Sequence, residues 1–189
     1  MHKSLLAAVF LFLIFDNVKA QDSKKVLIAY YSQSGSTQLM AESIYEGAKS
    51  VEGVIATILP IDKVQASQLL ESDAIIIGSP VYNANIAPEV LKFINSWPFE
   101  GKPMKDKLGA AFSTGGGISI GEELILQNLI HAMLIQGMII VGGDETESAF
   151  GASGVTGEAP FDKKVLDEIF LKKGYGLGKR VAELSKSFN

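Results

Sequence analysis

Residues Ser32-Gln33-Ser34-Gly35-Ser36-Thr37 place four hydroxyls and one glycine directly ahead of a segment with helical periodicity. The first amides of a helix have no internal partners, and the helix dipole is positive at that end. Hydroxyls and free amides that converge there form a socket for an anionic phosphate. The run lacks the lysine of a P-loop and the G-x-G-x-x-G pattern of a dinucleotide loop, so a terminal monophosphate suits it better than a pyrophosphate. Ser and Thr are also ordinary helix N-caps, and on that reading the same run is a capped turn.

Two further loops carry unusual chemistry. In Ser79-Pro80-Val81-Tyr82-Asn83-Ala84-Asn85, Tyr82 offers a face for a planar ring, and the amides of Val81 to Asn83 can read its polar edge. A loop tyrosine also serves as plain packing. In Ser113-Thr114-Gly115-Gly116-Gly117, three glycines let the backbone approach a flat ligand without interference from Cβ atoms, although such runs also serve as flexible connections.

The elements that position these loops follow from the apolar pattern. Short Val- and Ile-rich runs, apolar at nearly every position, alternate with helix-period segments, which is the pattern of parallel strands covered on both faces. Strands are expected at 25–31, 54–59, 74–78, 108–113 and 138–141. Helices are expected at 37–51 (buried stripe Met40, Ile44, Ala48, Val51), 66–71, 87–97, 121–136, and from Phe161 to the end. Gly174, Gly176 and Gly178 weaken the middle of the last helix and divide it into two on propensity alone. The stretch from Gly142 to Pro160, rich in Gly, Ser and Thr, reads as irregular.

Five parallel strands with helices on both faces give an α/β doubly wound sheet, here expected in the order 2-1-3-4-5. Ligands in such sheets sit at the carboxyl ends of the strands, where the order reverses. The loops after Tyr31 and Gly78 then face each other across that crevice, and all three unusual loops lie at the same end. A monophosphate socket, an aromatic wall and a glycine loop at one crevice describe a site for flavin mononucleotide (FMN).

Further motifs carry a family resemblance over essentially the whole chain after residue 20. The run Tyr31 to Thr37 resembles the phosphate loop of flavodoxin-like proteins. Gly78-Ser79-Pro80 with Asn85, Phe112-Ser113-Thr114-Gly115, Gly137-Met138-Ile139-Ile140-Val141, Phe150-Gly151-Ala152-Ser153 and Gly178-Lys179-Arg180-Val181-Ala182-Glu183 resemble the WrbA-like NAD(P)H:quinone oxidoreductases. The resemblance implies a flavodoxin-like fold and FMN as cofactor. It assigns Ser32, Gln33, Ser34, Gly35, Ser36 and Thr37 to the phosphate, Val81, Tyr82 and Asn83 to the isoalloxazine, and Ser113, Thr114, Gly115, Gly116 and Gly117 to its other flank. It also implies a substrate pocket near Phe99, Gln136 and Phe150, NAD(P)H as donor, a quinone or a redox protein as partner, and a homo-oligomer. The chain departs from the family at three places: Tyr82-Asn83-Ala84 replaces an Arg-Phe-Gly segment, Gln136 replaces a His, and the segment between Val141 and Phe150 is shorter.

Composition narrows the alternatives. The 17 Lys and Arg against 21 Asp and Glu, for a net charge of −4, argue against nucleic acid as a partner. The absence of cysteine excludes disulfides, thiolate metal sites and Cys nucleophiles, and no metal site is expected. Lys3, the apolar run from Leu5 to Phe15 and Val18-Lys19-Ala20 read as a signal peptide over 1–20, leaving 21–189 as one FMN-binding domain in an exported, periplasmic or secreted protein. The apolar run stops at Asp16, short of the roughly 18 to 20 residues that span a bilayer, so no stable membrane insertion is expected after cleavage. His131 reads as structural, Glu122 and Glu123 as helix-end charges, and Asp144, Glu145 and Glu147 as a solvated rim near the mouth.

The functional expectation is an FMN-dependent oxidoreductase passing electrons from NAD(P)H to a quinone or similar acceptor, with the flavin and no side chain carrying the chemistry. The alternative is an exported flavodoxin-type electron carrier, a reading that the scarcity of nicotinamide dinucleotides outside the cytoplasm favours.

Overall fold

The computed structural model describes residues 23–163 and 165–188. The expected signal peptide over 1–20 lies outside the described residues. The strands are β1 (Lys24–Tyr30), β2 (Val54–Pro60), β3 (Ala74–Tyr82), β4 (Asn85–Ile86), β5 (Leu108–Gly115), β6 (Ile139–Ile140) and β7 (Ala152–Val155). The helices are α1 (Ser36–Lys49), α2 (Ala66–Glu71), α3 (Pro88–Asn95), α4 (Glu122–Ile135) and α5 (Glu168–Ser187).

The sheet runs β2-β1-β3-β5-β6, and every pair in it is parallel. This is the expected 2-1-3-4-5 order with the fifth position divided between two short strands. β6 pairs with Leu108 and Gly109, at the amino end of β5, and β7 pairs with Phe112 to Gly115, at its carboxyl end. Residues 141–151 form an excursion between them that includes a 3-10 turn at Thr146–Ser148. The stretch expected to be irregular from 142 to 160 therefore contains a strand.

Alternation along the strands builds two cores. Val26 and Ile28 of β1 and Phe112 of β5 pack under α1 and α5, whereas Leu27, Ile75, Ile77 and Ala111 pack under α2, α3 and α4. Eight consecutive buried residues in β5 mark it as an interior strand. The α1 stripe is buried as its spacing predicts, with Met40, Ile44 and Ala48 fully inaccessible.

The last helix corrects the expectation in two ways. It begins at Glu168, where the Asp167 carboxylate accepts a hydrogen bond from the Ile169 amide, and it continues without a break through its three glycines. The glycines are the contact surface. A Cβ on Gly178 would lie 1.9 Å from the Ile44 carbonyl oxygen of α1, and one on Gly47 of α1 would lie 2.0 Å from the Tyr175 carbonyl oxygen. Close backbone contact on both helices thus overrides the low helix propensity of glycine. The same contact fixes the position of α1, whose first turn carries the hydroxyl loop. Among the described residues, no helix is long and apolar enough to cross a membrane.

Candidate functional site

The hydroxyl loop leaves β1 and enters α1 through Gly35, which takes a left-handed conformation (φ 96°) as N-cap and supplies no side chain. No other side chain caps the helix, and its first turn holds no acidic residue. The first backbone bond into the helix runs from the Leu39 amide to the Gly35 carbonyl at 3.0 Å, so the amides of Ser36, Thr37 and Gln38 stay free. The capped-turn reading therefore fails, because the hydroxyls that would cap the helix are engaged elsewhere. Ser32 Oγ accepts from the Gly35 amide at 3.1 Å, Thr37 Oγ1 shares a buried 2.7 Å hydrogen bond with Thr114 Oγ1, and Ser36 Oγ donates to Thr156 Oγ1 at 3.5 Å. Ser34 is exposed at the tip. Free amides, a positive helix end and several hydroxyls without a neighbouring acid fit a monophosphate.

The second segment is more ordered than a loop. β3 continues through Ser79, Pro80, Val81 and Tyr82 and turns back into β4, with Tyr82 paired to Asn85. Asn83 (φ 50°) and Ala84 (φ 56°) form the two-residue turn, and both are left-handed, as a tight hairpin of this type requires. Tyr82 donates its hydroxyl hydrogen to Gln33 Oε1, bridging the hairpin to the hydroxyl loop across the point where the strand order reverses. Tyr31 stands edge-on to Tyr82 with ring centroids 6.4 Å apart. Burial, the Tyr82 contact and the Glu89 carboxylate together push the Tyr31 phenol above its ordinary value.

The third segment also differs from its expected role. Ser113 and Thr114 belong to β5 and are buried, and Ser113 Oγ donates to the Glu122 carbonyl at 3.1 Å. Of the three glycines, only Gly116 has open space where a Cβ would point. A Cβ on Gly115 would lie 2.8 Å from Glu122 Oε1, and one on Gly117 would lie 3.0 Å from Glu158 Oε2, so these two glycines make room for carboxylates of the protein itself. Glu122 is not a solvated helix end: it is 8% exposed, Oε2 accepts from the Gly121 amide at 3.2 Å, and Oε1 has no partner.

The crevice thus brings together Ser32 to Thr37, Tyr82, Thr114 and Gly116. It also includes two residues that sequence reasoning missed, both from the turn after β7. The Thr156 amide donates to the Gly115 carbonyl at 3.1 Å, and the Glu158 carboxylate accepts from the Ile118 amide at 2.7 Å, tying down the glycine segment. The signal for them was the Val155-Thr156-Gly157 step, a β-branched pair followed by a glycine, after a strand too rich in small residues to read as one.

Phe99, Gln136 and Phe150 do not join this crevice. The helices run back against the strands, so residues beyond their carboxyl ends lie at the amino edge of the sheet. Gln136 is buried at the end of α4, and the neighbouring Gly137 carbonyl accepts from the Asp106 amide just ahead of β5. Phe99, 54% exposed, lies in the connection from α3 to the same edge. Phe150 is half-exposed where the excursion returns to β7 beside the middle of β5. Asp144, Glu145 and Glu147 belong to that excursion and not to the mouth; Glu145 pairs with Lys172 of α5 at 3.2 Å. His131 is exposed on α4. Among the described residues, no three potential metal ligands converge.

Comparison with known proteins agrees with this architecture. A family model described as NADPH-dependent FMN reductase matches residues 60–152. A flavodoxin from Clostridium saccharobutylicum is 36% identical over 120 residues, covering 63% of this chain and 73% of that protein. An iron-sulfur flavoprotein from Methanocaldococcus jannaschii is 34% identical over 137 residues, covering 71% of this chain and 69% of that one. The crystal structure of a WrbA-like flavodoxin from Agrobacterium tumefaciens superposes with a TM-score of 0.73 at 24% identity, covering 88% of this chain and all of the other. With no cysteine, the present chain has no thiolate to hold an iron-sulfur cluster. The chain belongs to the flavodoxin-like family of FMN flavoproteins, close to its WrbA-like members.

Proposed function

We propose that the protein is an FMN-dependent oxidoreductase that takes electrons from NAD(P)H and delivers them to a quinone or similar acceptor. The observation that carries this reading is the uncapped amino end of α1, free of acids in its first turn and ringed by hydroxyls at the reversal point of a flavodoxin-like sheet. In this reading Ser32, Gln33, Ser34, Gly35, Ser36 and Thr37 hold the FMN phosphate. Val81, Tyr82 and Asn83 flank one side of the ring system, and the segment from Ser113 to Gly117 flanks the other, with Gly116 the position open to close approach. Bound FMN supplies two-electron chemistry, accepting hydride from a reduced nicotinamide and returning the electrons to an acceptor.

The residues of the chain orient and shield. Thr37 and Thr114, hydrogen-bonded to each other in the interior, fix the phosphate loop to the end of β5. Gln33 and Tyr82 hold the two facing loops together, and Glu158 and Thr156 hold the glycine segment. No general acid or nucleophile is required of the protein, in keeping with the few titratable groups that face the crevice.

A second reading, an exported flavodoxin-type electron carrier, draws on the 36% identity to a flavodoxin and on the net negative charge. One experiment separates the two: load the protein with FMN, then follow NADH and NADPH oxidation with benzoquinone present. Turnover supports the oxidoreductase, whereas stoichiometric FMN without nicotinamide oxidation leaves the carrier. Export is part of the proposal and rests on Lys3, the Leu5 to Phe15 run and the Ala20–Gln21 junction. Amino-terminal sequencing of the protein from its native compartment tests it, with Gln21 the expected first residue.

A further inference from the structure

A cavity of about 700 Å³ lies over the carboxyl ends of β1 and β2, on the far side of the hydroxyl loop from the crevice. It shares Tyr31 and Ser32 with that loop, and Tyr31 in turn touches Tyr82, so the two sites are neighbours without being the same space. Thr37, Thr114 and Gly116, which belong to the crevice, do not line it.

We propose that this cavity binds the purine-nucleoside half of the electron donor and selects a dinucleotide with a free 2′,3′-diol over one carrying a 2′-phosphate. The proposal rests on the FMN-oxidoreductase reading for its purpose and on three features of the cavity for its chemistry. Its volume falls in the range of small-ligand pockets, roughly 300 to 1,000 Å³, and accommodates a nucleoside. The rings of Tyr30, Tyr31 and Phe93 contribute to the wall, giving flat apolar surface for a purine. At the rim stand two carboxylates, Asp62 and Glu89, against one ammonium, Lys92.

That charge balance decides between donors. Ionised carboxylates accept hydrogen bonds and donate none, so they suit ribose hydroxyls. A 2′-phosphate would bring a charge of about −1.5 to −2 toward both of them. Lys92 is the one cation of the lining and is available to the bridging phosphates. Asp62 lies 3.3 Å from Lys63, but both side chains are about two-thirds exposed, so the pair leaves the carboxylate largely free.

The test uses calorimetry on the full protein, with and without FMN loaded, titrated with adenosine 5′-monophosphate and with adenosine 2′,5′-bisphosphate. The monophosphate should bind in both states, at least about tenfold more tightly than the bisphosphate. Ser96→Trp, which fills the cavity from the end of α3, should abolish that binding and leave FMN affinity unchanged. Asp62→Ser combined with Glu89→Gln should erase the preference and equalise KM for NADH and NADPH. The proposal is overturned if the monophosphate does not bind at millimolar concentration, competes with FMN, survives Ser96→Trp, or binds no better than the bisphosphate. FMN affinity is read separately by its absorbance. Failure to bind FMN while the monophosphate binds would count against the oxidoreductase reading alone; the reverse would count against the nucleoside pocket alone.

Discussion

Replacing Gly178 by alanine tests the helix contact that sets the position of the hydroxyl loop. The new Cβ would stand 1.9 Å from the Ile44 carbonyl oxygen and 2.8 Å from its carbon, both backbone atoms. An ordinary C···O contact needs roughly 3.3 Å, so α1 and α5 would have to separate locally by about 1.4 Å. Overpacking of this kind costs about 1–3 kcal/mol and sometimes more, against roughly 1 kcal/mol regained from the better helix propensity of alanine. A net loss of about 2 kcal/mol is expected, read as a lower denaturation midpoint at constant m-value. Other glycines in the contact calibrate the result. Gly47→Ala meets the Tyr175 carbonyl and should cost a similar amount. Gly174→Ala meets the Met40 sulfur, which can move, and should cost less. Gly176→Ala meets only the Asp144 carboxylate on the exposed excursion and should be neutral or stabilising. The reasoning is refuted if Gly178→Ala denatures at the wild-type midpoint, or if Gly176→Ala costs as much as Gly178→Ala.

Four further outcomes are expected. Thr37→Val and Thr114→Val should each cost about 1–3 kcal/mol by orphaning the other buried hydroxyl, while the double variant should cost less than the sum, as a double-mutant cycle in urea would show. Ala84→Gly should raise stability by about 1 kcal/mol, because alanine is strained at φ 56° in the hairpin turn; an unchanged melting midpoint would contradict this. Tyr30 and Tyr31, held above the ordinary tyrosine value chiefly by burial, should ionise late in an alkaline absorbance titration. The folded state then keeps protons that the unfolded chain releases, so their contribution is present below the ordinary value and is lost as pH rises through the folded one. Glu71, held low by its hydrogen bond and charge contact with Lys25, contributes above the ordinary glutamate value and loses that contribution as pH falls; the exposed pair makes this visible in an NMR titration more than in stability.

The sheet was legible in the sequence because β1, β3 and β5 are covered on both faces and therefore read as unbroken apolar runs. β7 escaped notice for a physical reason. Gly154 faces Leu166, Met40 and Phe170 so closely that a Cβ would lie 2.4 Å from Leu166, and the strand must be built from small residues that carry no apolar signal. The glycines of α5 point the same way: local propensity reads them as a break, and the backbone of α1 requires them. The hydroxyl loop was legible because its residue types are those that the chemistry needs. Whether those hydroxyls cap the helix was not, since only the conformation of Gly35 and the partners of Thr37 and Ser36 decide that. Phe99 and Gln136 were assigned to the site through family resemblance. Their distance from it follows from the antiparallel course of α3 and α4 against the strands, which sends everything after those helices to the opposite edge.

Calorimetric titration of the protein with FMN tests the central claim most directly. Binding at one site per chain with micromolar or tighter affinity is predicted, weakened at least about tenfold when Ser34 and Thr37 are both replaced by alanine. No heat of association, or equal affinity in the double variant, would contradict it.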